Sequence, residues 1–173
     1  RCFAKVMSTK QNYGEITDGL GKSFEVALNS YKPFACGIVI HPVIDACLDL
    51  RAAHRIEPDQ ILKVEVSVHP LAQQLCGRPA PRDGLEGKLS LYHSAAVALC
   101  DGHAGVAQYL DARVAAADVI ALRDKVTVST VSGIEPDQAQ VRITLAGGVT
   151  HDMFVERARG ALARPMTDAE LDE

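Results

Sequence analysis

The sequence predicts an α+β fold, a two-layer sandwich with helices packed on one face of a mixed or antiparallel sheet, and three observations carry that expectation. Ile61 to Val68 alternates Ile or Val with Lys63, Glu65 and Ser67, the period-2 pattern of a half-exposed strand. Leu89 to Cys100 is nearly all apolar and stops at Asp101-Gly102, which marks a buried helix with a glycine end. Lys125 to Ser132, Ala139 to Ala146 and Val149 to Glu156 read as three consecutive strands, the last two joined through Gly147-Gly148, a hairpin signal. Helices therefore gather in the middle of the chain and strands lie toward its ends.

The remaining elements follow in order. After a polar opening, Phe24 to Tyr31 reads as a short strand running into Lys32-Pro33. His41-Pro42 opens a helix, because proline suits the first turn, and Val43, Ala46, Cys47, Leu50 and Ala53 recur at helical spacing while Asp45 and Asp49 fall on another face. A more polar helix is expected over Ala112 to Arg123. The pentapeptide Ile56-Glu57-Pro58-Asp59-Gln60 returns at Ile134 to Gln138, each time before a strand. The likeness ends there, so a shared turn chemistry is the reading rather than a repeat.

Composition bounds the function. With 173 residues, 47% of them apolar and 23% charged, the chain suits one domain with its own core. A net charge of −4 disfavours nucleic acid as a partner, since phosphate neutralisation needs a basic face. Five cysteines, at 2, 36, 47, 76 and 100, form no CxxC pair, and no run approaches the roughly 20 apolar residues of a membrane span. The expectation is a cytoplasmic protein that meets no membrane. Opening on Arg1 and closing on the capping box Thr167-Asp168-Ala169-Glu170 reads as a fragment of a longer protein.

Several motifs bear on chemistry. Gly19-Leu20-Gly21-Lys22-Ser23 ends like a phosphate-binding loop, but Ile16 stands where the first glycine is needed and no buried strand precedes it. Cys36, five residues before His41, ranks as a small buried hydrophobe ahead of a nucleophile. The six histidines show no metal-ligand spacing, so no metal is expected. Two helix starts favour an anion through their free amides: His41 with Lys32 a short loop upstream, and Gly84-Leu85-Glu86-Gly87-Lys88 with His93 in the turns that follow.

The stretch KPFACGIVIHPVIDACLDL, Lys32 to Leu50, resembles the start of the lid domain in the MmgE/PrpD family. PRDGLEGKLSLYHSAAVALCDG, Pro81 to Gly102, is similar to that family's GLEGKFS segment and the buried helix behind it, and RPMTDAELDE resembles its Pro-x-Thr-x-x-Glu ending. The resemblance implies a single C-terminal lid domain over residues 1–173, with the family's N-terminal helical domain absent. It implies a lyase that uses no cofactor and acts on a small di- or tricarboxylate, as 2-methylcitrate dehydratase does, by abstracting a proton next to a carboxylate. An epimerase or isomerase of the same family is the alternative, and a non-catalytic anion-binding or oligomerisation module is the rival from another class. Residue by residue, the resemblance assigns catalysis to Lys32 and His41 and substrate binding to Lys88, Tyr92 and His93. Gly37 stands where cis-aconitate decarboxylase carries an active-site histidine, and His93 where a tyrosine is usual. The full-length protein is expected to be a homodimer, assembled mainly through the helical domain.

Overall fold

The computed structural model describes residues 2–172, which divide into two units at Ser30 and Tyr31. The first unit holds helix α1 (Cys2–Met7) and two 3-10 turns, Tyr13–Ile16 and Glu25–Leu28, and none of its described side chains is buried. The strand expected over Phe24 to Tyr31 is thus corrected to a 3-10 turn followed by extended chain. Its polar groups close locally, Ala27 N donating to Phe24 O at 3.0 Å and Asn29 N to Val26 O at 3.2 Å, and no strand among the described residues pairs with it. Gly19 and Gly21 have φ of 67° and 76°, and the amides of Lys22 and Ser23 turn back onto the Gly19 carbonyl. That is a plain turn.

In the second unit the expected elements appear with one change. Helix α2 (His41–His54) carries Pro42 in its first turn and ends at Arg55, whose φ of 52° gives a left-handed cap. Strand β1 (Ile61–Val68) follows, then helices α3 (Pro70–Cys76), α4 (Gly84–Gly87) and α5 (Leu91–Asp101). The helix expected over Ala112 to Arg123 is two, α6 (Asp111–Val114) and α7 (Ala117–Arg123), because Ala116 is extended at φ −69°, ψ 135°. The break lets Arg113 bridge Asp101 of α5 and Asp118 of α7, the latter at 2.9 Å. Strands β2 (Val126–Thr130), β3 (Ala139–Leu145) and β4 (Thr150–Val155) complete the sheet, and α8 (Asp168–Leu171) closes the description, capped by Thr167.

The sheet is mixed, in the order β2-β1-β3-β4, with β1 parallel to β2 and antiparallel to β3, and β3 antiparallel to β4. Alternation decides its two faces. Ile61, Val64, Val66, Val68, Ala139, Val141 and Ile143 point into the core beneath α2 and α5, whose Ile44, Cys47, Leu91 and Leu99 are buried against them. Glu65, Ser67, Thr127, Ser129, Gln140 and Arg142 line a small groove of about 230 Å³ on the sheet's polar face. No described helix is long and apolar enough to cross a membrane.

The second face of α2 is covered as well. Asp45 is fully buried there, accepting from Arg159 N at 2.6 Å and from Arg164 Nη1 at 3.4 Å, with Arg159 Nε 3.7 Å away. Burial pushes this carboxyl above the ordinary carboxylate range, and the Arg159 amide and the two guanidinium groups act in the opposite sense. The result is a clamp that holds the segment after β4 across α2.

Candidate active site

The loop from Lys32 to Ile40 delivers two of the expected site residues to the start of α2. Lys32 is exposed, Phe34 and Cys36 turn inward, and a 3-10 turn at Ile38–Ile40 runs straight into His41, the first residue of the helix. His41 is 1% exposed, sits edge-on to the Phe34 ring at 5.3 Å, and has no hydrogen-bond partner at Nε2. Burial first, and the nearby Lys32 ammonium second, depress it to a pKa of about 4, against the pull of the Cys36 and Phe34 carbonyls. At neutral pH His41 is an uncharged imidazole beside a lysine. Lys32 makes no ion pair with a carboxylate among the described residues.

The second expected segment meets this loop through its backbone. Asp83 caps α4 by accepting from Glu86 N at 2.8 Å, and Lys88, half-buried, ends that helix. The Lys88 carbonyl accepts from Gly37 N at 2.9 Å, which fastens the two loops together. Gly37 has no room for a side chain: a Cβ there would lie 2.9 Å from Cys76 Sγ. The glycines of the Gly84 to Lys88 stretch serve packing. A Cβ on Gly84 would collide with the Tyr109 carbonyl, and one on Gly87 would come within 3.2 Å of the His93 ring.

Tyr92 is half-buried on α5, whereas His93 is wholly buried and donates from Nε2 to the Gln108 carbonyl at 2.9 Å. Its Nδ1 has no partner, and burial lowers its pKa, with the Gln108 carbonyl opposing. The structure therefore brings Lys32 and His41 into one electrostatic neighbourhood and ties Lys88 to it, while the His93 ring is closed off from solvent.

Tyr109 is the link that sequence reasoning missed. Its hydroxyl is 3.0 Å from Ser94 Oγ, its ring is 5.6 Å from that of His93, and it lies against the Cys36 thiol. Burial pushes Cys36 up to about 11, with Tyr109 and Ser94 acting the other way, so it stays a protonated thiol near neutrality. A second missed feature is a cleft of about 720 Å³ along the later turns of α2, lined by none of the expected site residues.

The sequence profile of the MmgE/PrpD C-terminal domain matches residues 34–173. The chain belongs to the MmgE/PrpD family. Comparison with curated proteins returned no match. Both loops fall in this MmgE/PrpD domain apart from Lys32, which lies two positions before the match begins and is held near His41.

Proposed function

We propose that this MmgE/PrpD domain forms one wall of the active site of a lyase that acts on a small di- or tricarboxylate, in the manner of 2-methylcitrate dehydratase. The observation that supports it is the pairing at the start of α2: a lysine without a carboxylate partner beside a neutral histidine whose Nε2 is unengaged. A lysine so placed attracts a substrate carboxylate and stabilises the negative charge that develops when the neighbouring carbon loses its proton. The helix start supplies further positive potential. Lys88 and Tyr92 complete the carboxylate-binding set. His93 joins it only when the wall formed by Gly87, Gln108 and Tyr109 moves, since the ring is closed to solvent as it stands.

The Nε2 of His41 is buried as the His93 ring is, so His41 meets a substrate only when its cover moves, and then as a neutral hydrogen-bonding group rather than a strong base, because a nitrogen with a pKa near 4 holds a proton weakly. The remaining acid/base groups are expected in a helical domain, as the family resemblance implies, so this chain alone is expected to turn over negligibly. The test uses the natural protein containing that domain, offered a panel of 2-hydroxy di- and tricarboxylates while the conjugated unsaturated acid is followed. Product that falls at least a hundredfold in Lys32→Ala supports the reading. If no unsaturated acid forms or is consumed, the dehydratase falls, and loss of optical rotation then tests the epimerase, which begins with the same proton abstraction.

A further inference from the structure

The cleft along α2 is built from three elements of the second unit. One wall is the later part of α2 and its cap, with Asp49, Arg51, Arg55 and Glu57; another is the turn after α5, Gly102 to Gly105; the third is the segment after β4, with Arg159 and Glu170. Phe34 stands between it and His41, lining the cleft while packing edge-on to the imidazole.

Its charges sort into two groups. Arg159 reaches Asp49 at 3.7 Å and Glu170 at 3.4 Å, and Arg164 reaches Asp49 at 3.5 Å, so those acids are already balanced. Among the described residues Arg51 and Arg55 have no carboxylate within pairing distance, and Glu57 is the one lining acid without a cation. Arg51 is the telling group. Its Nε is buried with no acceptor, and its guanidinium lies so close over Gly102 that a Cβ there would strike it. Arginines in a last helical turn also complement the helix dipole, and since the Nε is out of a ligand's reach, what Arg51 offers to the cleft is the outer, Nη edge of its guanidinium. Arg55, four residues on, shares this side of the helix, and His103 lies across the cleft.

We propose that this cleft is a binding site for a small ligand carrying two oxyanion groups. One group takes the Arg51 fork, which suits a planar or tetrahedral oxyanion in a two-pronged contact, and the other reaches Arg55 and His103. The site is separate from the start of α2, and its outer wall is the segment that Asp45 clamps. Occupation therefore couples to the order of that segment.

Citrate and pyrophosphate, titrated separately into the whole chain at low ionic strength by calorimetry, test the assignment. In the Lys32→Ala chain, which lacks the carboxylate site proposed at the start of α2, saturable one-to-one binding of either is expected, weakened at least tenfold when Arg51→Ala or Arg55→Ala is added. Hydrogen exchange should slow at Gly102 to Gly105 and at Arg159 to Glu170 on binding. Saturation by citrate alone identifies a polycarboxylate ligand, and saturation by pyrophosphate alone a phosphorylated one. Should Arg51→Ala prove poorly folded, Arg51→Lys keeps the charge and stem but loses the fork, and it too should bind more weakly. The proposal is overturned if neither anion saturates, if both arginine variants bind as the parent does, or if Lys32→Ala abolishes binding, which would return the anion to the start of α2.

Discussion

His41 carries the clearest consequence of burial on a single residue. Its pKa of about 4 in the folded chain stands against an ordinary 6.5, so between those values the unfolded chain binds the extra proton. The stability it contributes is fully present above pH 6.5 and is lost as pH falls through 4. At ~1.4 kcal/mol per unit the loss amounts to about 3 kcal/mol. Urea midpoints measured at pH 7.5 and pH 4 should therefore converge for His41→Gln relative to the parent, and parallel curves would show that the imidazole is not held neutral. Lys32 and His41 were legible in the sequence because a lysine, a short loop and a proline-marked helix start are local signals. Tyr109 was not, since it sits between Gln108 and Leu110 in a stretch without periodicity, and only its contact with Ser94 of α5 makes it part of the site. Arg51 was equally silent: in the last turn of a helix an arginine reads as a dipole complement, and its buried Nε depends on Gly102, fifty-one positions later.

Among elements, α4 shows how a motif can be recognised for the wrong physical reason. In sequence, Gly84 to Lys88 reads as a glycine-rich path to a helix start that favours an anion, yet α4 is a single turn whose glycines permit close packing on Tyr109, Val114 and His93. Gly84→Ala is expected to cost about 1–3 kcal/mol, because the obstacle is the Tyr109 backbone carbonyl and cannot rotate away. Gly133→Ala, with open space at its Cβ, is the control and should stay within about 0.5 kcal/mol. Equal urea midpoints for the two variants would mean that α4 and the Tyr109 turn are not locked together. The twin pentapeptides show the opposite case, in which local sequence decided local structure. Gln60 N donates to Glu57 O at 3.1 Å and Gln138 N to Glu135 O at 3.0 Å, and in both the glutamine side chain returns to the glutamate amide. The split between α6 and α7 escaped the sequence because no glycine or proline marks the extended Ala116, and the Arg113 pairs that the break permits reach acids of two other helices.

For the whole molecule, alternation and apolar runs made the two layers legible, but strand order was not written in any one strand. Strand β1 lies between β2 and β3, so the long helical crossover from Val68 to Val126 has to be completed before the parallel pair can close. Among the described residues every buried apolar side chain lies at Phe34 or beyond, and those before Ser30 contribute none. A domain of ~150 residues already withdraws about two thirds of its surface from water, enough to fold without help. The polypeptide 31–173 is therefore expected to unfold cooperatively, with a urea midpoint and slope close to those of the whole chain, because the slope follows the surface exposed on unfolding. A melting temperature within about 2 °C of the parent's would agree, since a loss of 1 kcal/mol shifts a chain of this size by about 2–4 °C. A lower midpoint at unchanged slope would show that residues before Tyr31 stabilise the sandwich, and a shallower slope that part of the sheet no longer unfolds with the rest.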